Sequence, residues 1–91
     1  MQSLPKNWNL IEEWEQSYVF ENSDGTFCVF IDFDAKLAKP YVIGYEQLEG
    51  DFEIIEIEDE AYTTTSTTKN DAWAKAILLM NFIDEQVNPV E

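Results

Sequence analysis

Carboxylates are the side chains present in numbers that would do chemistry: the 91 residues hold nineteen Asp and Glu against five Lys, with no His and no Arg. Absent histidine, the chain lacks the commonest general acid, general base and metal ligand. Cys28 is the one cysteine, and it stands inside an apolar run as a small buried hydrophobe rather than as a reactive thiol or zinc ligand. Gly25, Gly44 and Gly50 are isolated, so no loop cradles a phosphate. Without Arg there is also no bidentate clamp on one. Asp32 and Asp34 would project from one side of a strand about 7 Å apart. Neither a third participant nor the ligand pattern of a calcium loop accompanies them. The residues therefore point to a protein that is not an enzyme and that carries no cofactor or metal.

The acids are more informative as a field. Glu46, Glu49, Asp51, Glu53, Glu56, Glu58, Asp59 and Glu60 place eight of the nineteen within fifteen residues. Alternate residues of a strand lie about 6.6 Å apart on one face. Glu56, Glu58 and Glu60 would thus form a rigid row spaced roughly like neighbouring phosphates of a nucleic-acid strand. Such a row fits a basic groove, and its binding would fall with salt through counterion release. The rival reading is a solvated sheet edge whose charges prevent aggregation.

The formal net charge of -14 exceeds the magnitude of about 2 to 8 that serves solubility in a small domain. It disfavours direct contact with nucleic acid or an anionic membrane and attracts basic proteins. The implied function is an acidic inhibitor or adaptor that blocks a basic, nucleic-acid-binding protein, with nucleic-acid mimicry its sharpest form. A phage counter-defence protein and an immunity protein against a nuclease toxin would both follow that physical logic. The alternative is a small homo-oligomeric assembly module, a homodimer for instance, whose acidity serves solubility and whose contact is made by Leu78 and Phe82.

The elements that must position these residues follow from periodicity. One domain spanning residues 1–91 suits the length, and 45% hydrophobic and 14% aromatic residues supply a core. The expected class is α+β: an antiparallel sheet of four or five strands with a short N-terminal helix and a longer C-terminal helix packed on it. Residues 26–34, TFCVFIDFD, form the central strand, with Phe27, Val29, Ile31 and Phe33 on one face and Cys28 and Phe30 on the other. Both faces should be at least partly covered.

Before it, Asn7 caps a predicted helix over 8–16 with a stripe of Leu10, Ile11 and Trp14. Residues 18–21 then pair with the central strand through a turn at 22–25. Beyond the connector 35–39 and Pro40, strands are predicted over 41–46 and over 51–58, the latter with a bulge between Ile54 and Ile55. Residues 61–68, AYTTTSTT, read as an edge strand. Asn70 or Asp71 caps the closing helix, whose stripe is Trp73, Ala76, Ile77, Met80, Ile83 and Val87, and which ends near Asn88-Pro89. Leu78 and Phe82 are surplus to that stripe. A lone cysteine and the lack of a secretory signal or membrane-length apolar run suggest a reducing, cytoplasmic setting.

Overall fold

Asn22 organises the turn from which the sheet grows. Its Oδ1 accepts from the backbone N–H of Thr26 at 2.9 Å and of Phe27 at 3.1 Å, while Nδ2 donates to Thr26 Oγ1 at 2.8 Å. Gly25 supplies the left-handed backbone the turn needs, at φ 70°, and its N–H donates to the Asn22 carbonyl at 3.0 Å. This is the hairpin expected at 22–25. The computed structural model describes residues 3–48 and 63–87.

Among the described residues five strands make one sheet: β1 (Trp8–Trp14), β2 (Ser17–Asn22), β3 (Phe27–Phe33), β4 (Tyr41–Gln47) and β5 (Thr63–Ser66), followed by the helix α1 (Lys69–Val87). The sheet order is β1-β2-β3-β4-β5 and every pairing is antiparallel. The α+β class, the sheet and the C-terminal helix are as expected. The TFCVFIDFD strand is central in fact, with two strands on either side of it. The Thr-rich segment supplies an edge strand, though a shorter one.

The predicted N-terminal helix is wrong: residues 8–14 are strand β1. The reason is a bulge. The register with β2 runs Trp8↔Asn22, Asn9↔Glu21 and Leu10↔Phe20, then resumes at Glu12↔Val19. Ile11 is the extra residue, and it inverts the two-residue alternation midway. Leu10 therefore lies on the Phe20 side and Trp14 on the Ser17 side, so the three- and four-residue spacing of Leu10, Ile11 and Trp14 mimics a helical stripe although no single face carries it. The predicted strand over 51–58, with its bulge, lies outside the described residues.

One face of the sheet carries the core. Directly opposed residues share a face, so Trp8, Phe20, Phe27, Val29, Ile31, Tyr41 and Ile43 stand on the same side, all buried beneath α1. The helix answers with Ala72, Trp73, Ala76, Ile77, Leu79, Met80 and Ile83. Trp73 stands edge-on to Phe20 at 5.1 Å and to Tyr18 at 5.5 Å between ring centroids, the arrangement that aromatic quadrupoles favour. The predicted caps Asn70 and Asp71 are displaced by Thr68. Its Oγ1 accepts from the Asp71 N–H at 3.2 Å, and its carbonyl accepts from Ala72 N at 3.0 Å. β5 ends at Ser66, which leaves Thr68 at the position where a cap is required.

Candidate partner-binding surface

The second face of the sheet is assembled by register alone. Opposed pairs place Val19, Phe30 and Gly44 in one row, flanked by Glu12 from β1. A second row is Glu21, Cys28 and Glu46, and a third is Asp32, Val42 and Thr65. Trp14 and Ser17 continue the face at its β1 corner. Val19, Phe30 and Val42 are half-buried, whereas Glu12, Asp32 and Glu46 are exposed. Among the described elements none packs on this side. The result is an apolar centre with carboxylates around it, and no lysine belongs to any of the five strands.

The lysines lie elsewhere. Lys36 and Lys39 are in the β3–β4 connector and Lys6 precedes β1. Lys75 Nζ donates to the Thr65 carbonyl at 2.8 Å and pairs with Asp71 at 3.2 Å. Lys69 Nζ rests 5.1 Å above the Tyr18 ring, a cation–π contact on the helix side. Glu12, Asp32 and Glu46 therefore face solvent, with Glu21 half-buried beside them and, among the described residues, no base in the sheet.

Of the acidic run singled out from the sequence, Glu46 stands at the exposed end of β4 on this second face. Glu49, Asp51, Glu53, Glu56, Glu58, Asp59 and Glu60 lie outside the described residues. Leu78 is 68% exposed. Phe82 is half-buried on the flank of α1 that Lys75 ties to β5. Asp32 and Asp34 have separate settings. Asp32 belongs to the second face, while Asp34 shapes the connector: its Oδ1 accepts from Lys36 N at 3.0 Å and its carbonyl from Leu37 N at 3.1 Å. Among the described residues no group of three or more Cys, Asp or Glu could hold a metal ion.

Cys28 is only 7% exposed. Burial, and then the flanking Glu46 and Glu21 carboxylates, push its thiol above the ordinary value, which keeps it protonated and unreactive. The carboxylate of Asp84 differs from the others in being tied into the fold. Both of its oxygens accept from the buried Trp8 indole N–H at 3.1 Å, joining the first strand to the last turns of α1. Burial raises its pKa, the indole bond opposes that, and Asp24 adds to the rise.

Sequence reasoning did not place Glu21, Val19 and Val42 on this face, because each is unremarkable in its own strand. The findable signal was the shared parity of Val19 with Glu21 and of Phe30 with Asp32, apolar and acidic on one face. No protein-family model matches the chain, and neither a curated protein nor a solved structure matches it. Among the described residues no helix is long and apolar enough to cross a membrane.

Proposed function

We propose that the chain is a non-enzymatic, acidic protein-binding domain that blocks a basic, nucleic-acid-binding protein, with nucleic-acid mimicry as the sharpest form of that block. One observation carries the reading: the second sheet face joins a half-buried apolar centre of Val19, Phe30 and Val42 to the carboxylates of Glu12, Glu21, Asp32 and Glu46 in a sheet without lysine. Apolar contact supplies affinity at such a centre, and the charges around it select a cationic partner and speed its approach. The eight acids from Glu46 to Glu60 add to the negative charge of the chain. A reducing, cytoplasmic setting suits the protonated Cys28.

The test is capture by the tagged protein from lysate of its native host, washed across a salt series and competed with DNA. The reading expects a basic nucleic-acid-binding protein, released as salt rises by about tenfold or more in affinity and displaced by DNA. Replacing Glu21, Asp32 and Glu46 by Gln, Asn and Gln should weaken capture, as should Gln at Glu56, Glu58 and Glu60. Capture indifferent to salt and to all six substitutions would sink it. The exposure of Leu78 favours a second reading, a homo-oligomeric assembly module joined through Leu78 and Phe82. Sedimentation that stays monomeric across concentration removes that alternative.

A further inference from the structure

We propose that β1 is a docking edge, onto which an extended, lysine- or arginine-bearing segment of the basic partner adds as a sixth strand. This rests on the acidic-inhibitor reading and names where the partner is held. β1 ends the described sheet and pairs only with β2 among the described strands. Its outer backbone can be located from the ladder. Ser23 N donates to the Asn7 carbonyl at 2.7 Å, so the pair beyond Trp8↔Asn22 is hydrogen-bonded. Alternation then makes Leu10↔Phe20 a non-bonded pair. After the bulge, Glu13↔Tyr18 is non-bonded too, because Tyr18 belongs with Phe20 to the set of β2 residues that bond toward β3. The N–H and C=O groups of Leu10 and Glu13 therefore point away from the sheet.

Edge strands are ordinarily guarded by charged residues, especially lysine, by proline, by bulges or by brevity, and of these β1 has the bulge at Ile11 and the charges of Glu12 and Glu13. β1 has seven residues, contains neither Lys nor Pro, and is exposed from Asn9 to Trp14. Leu10 is 38% exposed, Ile11 50% and Trp14 78%, three large apolar side chains within five residues. Such a strand holds an incoming one by main-chain hydrogen bonds and by side-chain contacts. Charge decides the occupant. Glu12 and Glu13, with Glu15 in the following turn, are all exposed. Lys69 over the Tyr18 ring partly screens Glu13, leaving Glu12 and Glu15. A second copy of β1 would set carboxylate against carboxylate, which is destabilising across strands, whereas lysine or arginine there is favourable.

The experiment follows amide hydrogen exchange at Leu10 and Glu13 in the full chain by NMR. The probe is a soluble peptide of about ten residues alternating lysine and valine, long enough to cover the strand, compared with its glutamate–valine counterpart. Both amides should exchange freely in the unliganded protein and slow by about tenfold or more with the lysine peptide alone. Glu13→Pro, tolerated where an edge N–H faces outward, should weaken binding about tenfold, the equivalent of one net hydrogen bond. Glu13→Gln should weaken it by no more than about twofold. Should the proline unfold the chain, Ile11→Lys at an exposed position repels the same probe and gives the same answer.

Protection of Leu10 and Glu13 without the probe would mean the edge is already covered, by the chain itself or by a second copy if it grows with concentration, and would overturn the proposal. Binding of the lysine peptide with those amides unchanged would also overturn it while leaving the acidic-inhibitor reading in place. Failure of the lysine peptide to bind even at low salt would overturn the docking edge, while the acidic-inhibitor reading is decided separately by the capture experiment.

Discussion

Replacing Asp84 by Asn should stabilise the protein at neutral pH. Asp84 lies near the C-terminal end of α1, whose last turn contains no basic residue, so its negative charge meets the negative end of the helix dipole. It is also half-buried beneath the Trp8 indole. Its raised pKa records that the fold prefers the neutral carboxyl even though the indole bond pulls the other way. Asn keeps an oxygen acceptor for the Trp8 N–H and removes the charge. The dipole contribution alone is about 0.3–1 kcal/mol. That corresponds to a rise in Tm of roughly 2–6 °C for a domain of this size.

Asp84→Ala should do the opposite, because it strands a buried indole N–H, at about 1–3 kcal/mol. The pH dependence has a definite sign. A raised folded-state pKa means a contribution fully present below the ordinary value of 3.8 and lost as pH rises through the folded value. Wild type and Asp84→Asn should therefore converge in acid, and the advantage of Asn should open as pH climbs. The assay is thermal unfolding followed by tryptophan fluorescence from pH 3.5 to 7, in dilute solution because the pI is about 4.1. Asp84→Asn as destabilising at pH 7 as Asp84→Ala, or a gap constant with pH, would refute the reasoning.

Other consequences are local. Glu15 holds φ 55° in the β1–β2 turn, a conformation that strains a non-glycine residue by about 1–2 kcal/mol, so Glu15→Gly should raise the denaturation midpoint. Gly25→Ala should lower it by a similar amount, from backbone strain alone, since a Cβ there would meet nothing nearer than Glu21 Oε1 at 3.8 Å. Thr68→Ala should cost about 1 kcal/mol in urea unfolding while Asn70→Ala stays within about 0.5, which separates the observed cap from the one expected by sequence. Cys28 should resist a thiol reagent at pH 8 in the folded protein and react promptly in denaturant; equal rates would contradict its burial between Glu21 and Glu46.

What was legible from sequence was what local chemistry dictates. Asn22 and Gly25 announce a turn, residues 26–34 alternate cleanly, and the stripe from Trp73 to Ile83 can be buried only as a helix. The N-terminus misled for two physical reasons. The bulge at Ile11 puts Leu10 and Trp14 on opposite faces of β1, so no continuous apolar face marks the strand. The turn that should have betrayed the hairpin, Glu15-Gln16, contains no Gly, Asn or Asp, so its positive φ is imposed by pairing rather than by residue preference. Gln16 helps hold it, accepting from Tyr41 Oη at 2.7 Å. The cap was misplaced because Thr68, Asn70 and Asp71 are all able to cap, and the end of β5 decides among them. Glu46 was found as part of a linear cluster. Its neighbours Glu21 and Asp32 come from strands 25 and 14 residues away in sequence, and only the register joins them.

The register also bears on which partner the second face suits. Two copies stacked by that face would bring the Glu21, Cys28, Glu46 row and Asp32 of each molecule against their counterparts, at a net charge of -14 apiece. Like charges facing across a desolvated contact oppose association, and apolar contact through the half-buried trio Val19, Phe30 and Val42 would have to offset that repulsion. Under the proposed function, a surface that brings cations to the surrounding carboxylates would avoid that repulsion. The same argument applies at β1, where Glu12 and Glu13 stand beside exposed Leu10, Ile11 and Trp14. On the proposed reading the apolar groups would supply the attraction on each surface and the carboxylates would select the partner, so charge reversal of Glu21 and Glu46 to Lys should redirect binding from basic to acidic proteins rather than abolish it.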